Sequence, residues 1–221
     1  MEKYAMNYKQ TFAILLISSV LGATPVQAAD FQQSYNQGVQ KLAQGNFNGA
    51  IAEFDKVVQS NPKYSEAYCL RGQAKAQLGD FRGAITDISQ AINLNPGHLD
   101  AYNLRGTIYA ETGNINAAIA DFNQTVKINP KFVDGYYNLG LLSYRQANYK
   151  QAIVQFDQAL AINPNLADAY GNRGLAQHAL GNRKSAITDL EKAVTLFQQQ
   201  GKTEAYQETQ TLLYLIKNRK L

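Results

Sequence analysis

This chain carries almost none of the residues that build metal and redox centres. Cys69 is its only cysteine, so it forms no internal disulfide and supplies no cysteine pair for zinc. Cys69 therefore reads as a small residue on a helix face. His98 and His178 are the only histidines, and they do not share a metal-ligand spacing. No Ser/His/Asp constellation, phosphate loop or paired glycosidase carboxylates stands out. The sequence accordingly assigns no catalytic residue, no metal and no cofactor, and the expected activity is not enzymatic. Charged residues make up only 17% of the chain, and the formal net charge is +4. That charge is spread thinly, with no basic block before Lys217, Arg219 and Lys220. Phosphate binding wants a concentrated basic face, so nucleic acid is not an expected partner.

Long hydrophobic runs are also missing. The longest, Phe12 to Ala23, is about a dozen residues, whereas a bilayer span needs about 20. Lys3 and Lys9 give the chain a positive start, and Val26-Gln27-Ala28 brings small residues before a cut between Ala28 and Ala29. This three-part layout predicts a secretory signal peptide over residues 1–28 and an exported mature chain. The alternative is an uncleaved N-terminal anchor, which with a membrane-bound partner is the only expected link to a membrane. No cysteine follows the apolar run, so a lipoprotein anchor is excluded.

What the chain has is repetition. Gly38, Gly72, Gly106, Gly140 and Gly174 are each 34 residues apart. Ala50, Ala84, Ala118, Ala152 and Ala186 keep the same step, as do Pro62, Pro96, Pro130 and Pro164. A period of this size signals stacked repeats, in which each unit contacts mainly its neighbours. The register defines five units, 31–64, 65–98, 99–132, 133–166 and 167–200, within a domain over 29–200.

The third unit shows what each one builds. Asp100 to Thr112 reads as a helix that Gly113-Asn114 breaks, as a glycine near a C-terminus should. Asn116 is the expected cap of a second helix. Ala118, Ile119, Phe122 and Val126 then form one apolar stripe at helical spacing. Asn129-Pro130 stops it, because proline disfavours helix in the residue before it. A mid-helix glycine costs roughly 1 kcal/mol against alanine, so the glycine column implies close helix approach. The alanine column supplies the small partner, and Phe54, Ile88, Phe122, Phe156 and Leu190 fill the space beside it.

A second pattern is internal to the chain. Arg71, Arg105 and Arg173 occupy position 7 of their units, and in those units position 23 is Asp87, Asp121 and Asp189. The fourth unit has Leu139 and Gln155 instead, and the first has Gln37 and Glu53. Arginine and aspartate appear and vanish together, which predicts ion pairs between first and second helices, within a unit or between neighbours. Thr203 to Lys220 reads as one more helix, with Tyr206, Leu212, Leu213 and Ile216 on its apolar face. Residues 201–221 are expected to cap the stack.

These columns resemble the tetratricopeptide repeat, which has an aromatic at position 4, Gly at 8, Ala at 20, an aromatic at 24 and Pro at 32. Position 4 here is Tyr68, Tyr102, Tyr136 and Tyr170, and position 27 gives Ala91, Ala159 and Ala193. The first unit departs with Ser34, and the fifth has Gln198 where proline belongs, so its second helix should run longer. Phe197 to Gln207 also resembles the endings of exported cyanobacterial repeat proteins. The implied destination is the periplasm, or the thylakoid lumen in a cyanobacterium.

The resemblance implies an all-α, right-handed α-solenoid of five helix-turn-helix units with a C-terminal capping helix. It also implies a non-catalytic scaffold that binds a peptide or partner segment in a concave groove lined by first helices. The groove residues it implies are Asn103, Thr107, Glu111, Tyr137, Asn138, Leu141, Tyr144, Arg145, Asn172 and His178. Glu66, Asp100, Asp134 and Asp168 form an acidic column at position 2, where the helix macrodipole also favours carboxylates. Some relatives grip the C-terminal carboxylate of heat-shock chaperones with Lys at position 5 and Asn at 9 of the first unit. Tyr35 and Val39 stand there, so that clamp is absent. Two other readings stay open: an assembly factor for an exported or membrane complex, docking outside the groove, and end-to-end self-association.

Overall fold

The computed structural model describes residues 25–218. Among them are eleven α-helices and no strand. They are α1 (Pro25–Ala43), α2 (Phe47–Ser60), α3 (Ser65–Gln77), α4 (Phe81–Leu94), α5 (Leu99–Glu111) and α6 (Ile115–Ile128). The rest are α7 (Val133–Arg145), α8 (Tyr149–Ile162), α9 (Ala167–Ala179), α10 (Arg183–Gln199) and α11 (Thr203–Lys217). Each odd helix packs on the even helix that follows, and each pair packs on the next, so the chain is an α-solenoid. Residues 1–24, which hold most of the expected signal segment, lie outside the described residues. The expected cut at Ala28-Ala29 falls in the first turns of α1.

Local chemistry sets the helix ends. Gly113 adopts φ +81°, a left-handed conformation that turns the chain after α5. The Asn114 N–H then donates back to the Tyr109 carbonyl at 2.8 Å, which closes the helix end. Asn114, rather than the expected Asn116, caps α6: its Oδ1 accepts from the Ala117 N–H. Asn116 sits one residue inside that helix, where its backbone is already helical and its side chain is exposed. At the other end Asn129 Oδ1 accepts from the Lys131 N–H at 2.9 Å. Asn61, Asn95 and Asn163 make the same two-residue turn in their units.

The core follows the repeat columns. Ala50, Ala84, Ala118, Ala152 and Ala186 are fully buried. Beside them Phe54, Ile88, Phe122, Phe156 and Leu190 are at most 1% exposed. Gly106 shows why a glycine faces this column: an added Cβ would lie 2.8 Å from Phe122 Cε1 and 3.2 Å from Asp121 Cβ. The two helices are therefore closer than any side chain at that position allows.

The arginine–aspartate pairs form within units. Arg105 Nε and Nη2 each donate to Asp121 at 2.8 Å, a two-pronged contact. Arg71 grips Asp87 and Arg173 grips Asp189 in the same way. The third prong reaches the preceding unit: Arg71 to Asp55, Arg105 to Ser89 and Arg173 to Asp157. The position-4 tyrosines Tyr68, Tyr102 and Tyr170 cover these guanidinium groups at 5.3 to 5.8 Å. Each arginine thus joins two helices and two units. Where Leu139 replaces it, Gln155 Oε1 is buried without a hydrogen bond. In the first unit Glu53 turns to Lys41 and Lys56 instead.

The fifth unit ends as its missing proline implies. α10 has 17 residues where the second helices before it have 14. α11 then packs on α10 and buries Ile216. Arg183, at the start of α10, donates to the Ile216 and Lys217 carbonyls, placing a cation on the open C-terminal end of α11.

Candidate functional site

Successive first helices touch one another: α1 with α3, α3 with α5, α5 with α7, and α7 with α9. They form the inner wall of the solenoid, and the second helices form the outer one. The sequence-predicted groove residues lie on α5, α7 and α9.

The structure divides them into two sets. Asn103, Tyr137, Asn138 and Asn172 tie neighbouring units together. Asn138 Nδ2 donates to Asn103 Oδ1 at 2.9 Å, and Asn172 Nδ2 donates to the Tyr137 hydroxyl at 3.0 Å. Asn138 is only 3% exposed, so it belongs to the unit–unit contact and not to an open groove. Thr107 is likewise corrected: it is 2% exposed and its hydroxyl donates to the Asn103 carbonyl one turn back. Asn138 thus faces the preceding unit, while the Thr107 hydroxyl turns back onto its own helix.

The second set reaches the surface. Leu141, Tyr144 and His178 are half-buried, while Glu111 and Arg145 are exposed. Tyr144 packs edge-on against Tyr149 with ring centres 5.4 Å apart. Burial, and then the neighbouring Tyr149, push its phenol above the usual range. Tyr137 packs on Phe156 at 5.9 Å, which fixes its ring at the wall. Leu141, Tyr144 and Arg145 therefore share one lip of α7.

The acidic column lies on the same helices. Asp100 and Asp134 are exposed to solvent, yet the surrounding protein holds both carboxyls above the ordinary range. Desolvation is the larger cause in each. Glu66 adds to it for Asp100, and Asp100 adds to it for Asp134. His98 Nε2 sits 3.0 Å from Glu66 Oε2 and partly offsets the column for Asp100. Neither histidine joins a metal-binding group, and no cluster of three metal-ligating side chains occurs among the described residues.

Sequence reasoning missed the C-terminal end of the groove. A small cavity of about 40 Å³ lies between α9 and α11, lined by Asp168, Gly171, Leu175, Phe197, Glu208 and Leu212 among others. Its signal was present: the 34-residue count continues past residue 200. Lys202 and Ala205 repeat the positions of Asp168 and Gly171, so α11 acts as a sixth first helix. No described helix is long and apolar enough to cross a membrane.

The fold and this wall define an α-helical repeat protein built for contact with other chains. Family comparison gives the second step. A TPR repeat model matches residues 38–79, 106–147 and 143–181, and a tetratricopeptide repeat model matches 65–98 and 167–200. The chain belongs to the tetratricopeptide repeat family, and its solenoid is right-handed like the family's. Among solved structures, a crystal structure of MamA is 25% identical, with a TM-score of 0.68 over 79% of this chain and 96% of that one. YrrB, described as a TPR protein with an unusual peptide-binding site, is 17% identical, with a TM-score of 0.64 over 86% and 100%. A thermophilic TPR protein of Thermus thermophilus, TTC0263, is 18% identical, with a TM-score of 0.66 over 84% and 100%. The comparison with curated proteins returns no match.

Proposed function

We propose that the inner wall is a receptor for an extended segment of a partner protein, and that the chain is a non-catalytic scaffold. The observation that carries this reading is the lip formed by Leu141, Tyr144 and Arg145 on α7. It lies on the same helix as Asp134, which has no ion pair among the described residues. Tyrosine and arginine are the residues that dominate binding energy where partners dock. YrrB, which shares the fold, is described as a TPR protein with an unusual peptide-binding site, and that description supports the reading. Affinity capture on the wild-type chain, beside Tyr137→Ala/Tyr144→Ala at unchanged helicity, tests it. Tyr137 also holds Asn172, so Tyr144→Ala alone serves as the second variant. A partner held by wild type and lost by both variants supports the groove. A partner held by all three moves the site to the outer face, as an assembly factor would use, and overturns the groove.

We also infer export, from the cationic start, the short apolar run and Ala28 at the expected cut. N-terminal sequencing of the exported protein tests this. A start at Ala29 supports cleavage, and a start at the initiator or in the cytoplasmic fraction overturns it.

A further inference from the structure

One column of carboxylates lies along the inner wall. Glu66, Asp100, Asp134 and Asp168 stand at the same unit position on α3, α5, α7 and α9. Glu208 of α11 adds a carboxylate beside Asp168 at the small cavity. Among the described residues, two groups answer the column. His98 is 7% exposed, and its Nε2 makes no hydrogen bond while facing Glu66 Oε2 at 3.0 Å. Lys202 Nζ lies 3.0 Å from Asp168 Oδ2. Lys202 occupies the column's own position one rung further on, so the chain itself seats a lysine at the end of the row. Asp100 and Asp134, in the middle, have no ion pair among the described residues, and each is crowded by a neighbouring carboxylate.

We propose that the groove takes an extended cationic segment of a partner protein, with lysine or arginine at every third residue facing Glu66, Asp100, Asp134 and Asp168. This rests on the receptor reading above and names the chemistry of its partner. The spacing comes from geometry. Helices in contact lie about 8–10 Å apart. A polyproline II chain rises about 3.1 Å per residue and turns once in three, so every third side chain returns to one face after about 9 Å. A cation at that interval meets one carboxylate per unit. At the end of the row, Gly171 leaves open space, with nothing within 4 Å of where a Cβ would stand. Asp168 and Glu208 stand beside that opening, which suits one more cationic side chain.

The test uses the full chain and labelled peptides of about a dozen residues, enough for four turns at three residues each. One peptide carries lysine at every third position, one has the same composition with its lysines clustered, and one carries glutamate at every third position. Fluorescence anisotropy at low and high salt reads binding. The spaced-lysine peptide is expected to bind best and to weaken with salt. Asp100→Asn/Asp134→Asn should weaken it about tenfold, since exposed charge pairs are each worth roughly a factor of two to five. Glu191→Gln, on α10 outside the column, should leave it unchanged. Melting of the double variant at or above the wild-type temperature verifies its fold. Equal affinity for the clustered peptide, equal weakening by Glu191→Gln, or no binding at low salt overturns the proposal. If the glutamate peptide binds instead and Tyr144→Ala abolishes it, the groove stands and its cationic partner falls. If no peptide responds to Tyr144→Ala, the receptor reading falls as well.

Discussion

Replacing Arg105 with leucine tests what holds the units together. The Asp121 carboxylate is 5% exposed and takes both of its strong hydrogen bonds from Arg105. Arg105→Leu strands that charge away from water. Breaking a buried pair from one side costs about 3–5 kcal/mol. The Arg105 side chain is 18% exposed, so water enters easily and the loss should sit near 3 kcal/mol. Asp121→Leu should cost less, about 2 kcal/mol, because the guanidinium keeps the Ser89 hydroxyl and the faces of Tyr102 and Tyr109. The double variant leaves no stranded charge and loses mainly the tyrosine and serine contacts, about 2 kcal/mol. The coupling between the two sites is then about 3 kcal/mol. Urea unfolding followed by circular dichroism measures it, fitted with a nearest-neighbour scheme because repeats unfold as a linear array. In a melt, Arg105→Leu should lower the midpoint by about 6–12 °C for a chain of this size. A double variant that loses the sum of the single losses to within about 0.5 kcal/mol would refute the pairing.

Three further outcomes follow from packing and charge. Gly106→Ala should lose about 1–3 kcal/mol because its methyl meets Phe122, while Gly171→Ala, facing open space, should gain about 0.5–1 kcal/mol. Equal effects in chemical denaturation would sink the close-approach explanation of the glycine column. Gln155→Leu should raise stability by about 1 kcal/mol, since it removes a buried carbonyl oxygen that has no donor. A loss of that size would show that Gln155 has a partner. Hydrogen bonds from Lys41 and then Lys56 hold the Glu53 carboxyl below the usual range. Its stabilisation is therefore complete above the ordinary carboxylate range and disappears as pH falls through the lowered folded-state value. Urea midpoints measured against pH should decline less steeply on the acid side for Glu53→Gln, and an unchanged slope would contradict the assignment.

Much of the fold was legible because repetition shows which residues must do the same job. Gly106, Ala118 and Phe122 recur as a set, and the structure packs them as a set. The joint loss of Arg and Asp in the fourth unit was enough to pair the two columns, and the structure shows the pairing to be within a unit, Arg105 with Asp121. The third prong to Ser89 was not readable, because it depends on how one unit stacks on the last. Asn114 and Asn116 are both good cap residues, and the backbone turn at Gly113 gives the role to Asn114. Thr107 and Asn138 were expected at the groove from the family resemblance, yet both are buried. Burial of this kind depends on how units stack, as the Asn138–Asn103 hydrogen bond across units illustrates. The cavity at Gly171 was missed for a different reason: α11 lacks the family's packing columns, although its register continues the count.

The most direct measurement is hydrogen–deuterium exchange of the full chain with and without a partner retained by affinity capture. Groove binding predicts new protection on α5, α7 and α9, centred on Leu141 to Arg145, with α4, α6 and α8 unchanged. Protection on α4, α6 and α8, with the first helices unchanged, would contradict it and place the partner on the outer wall.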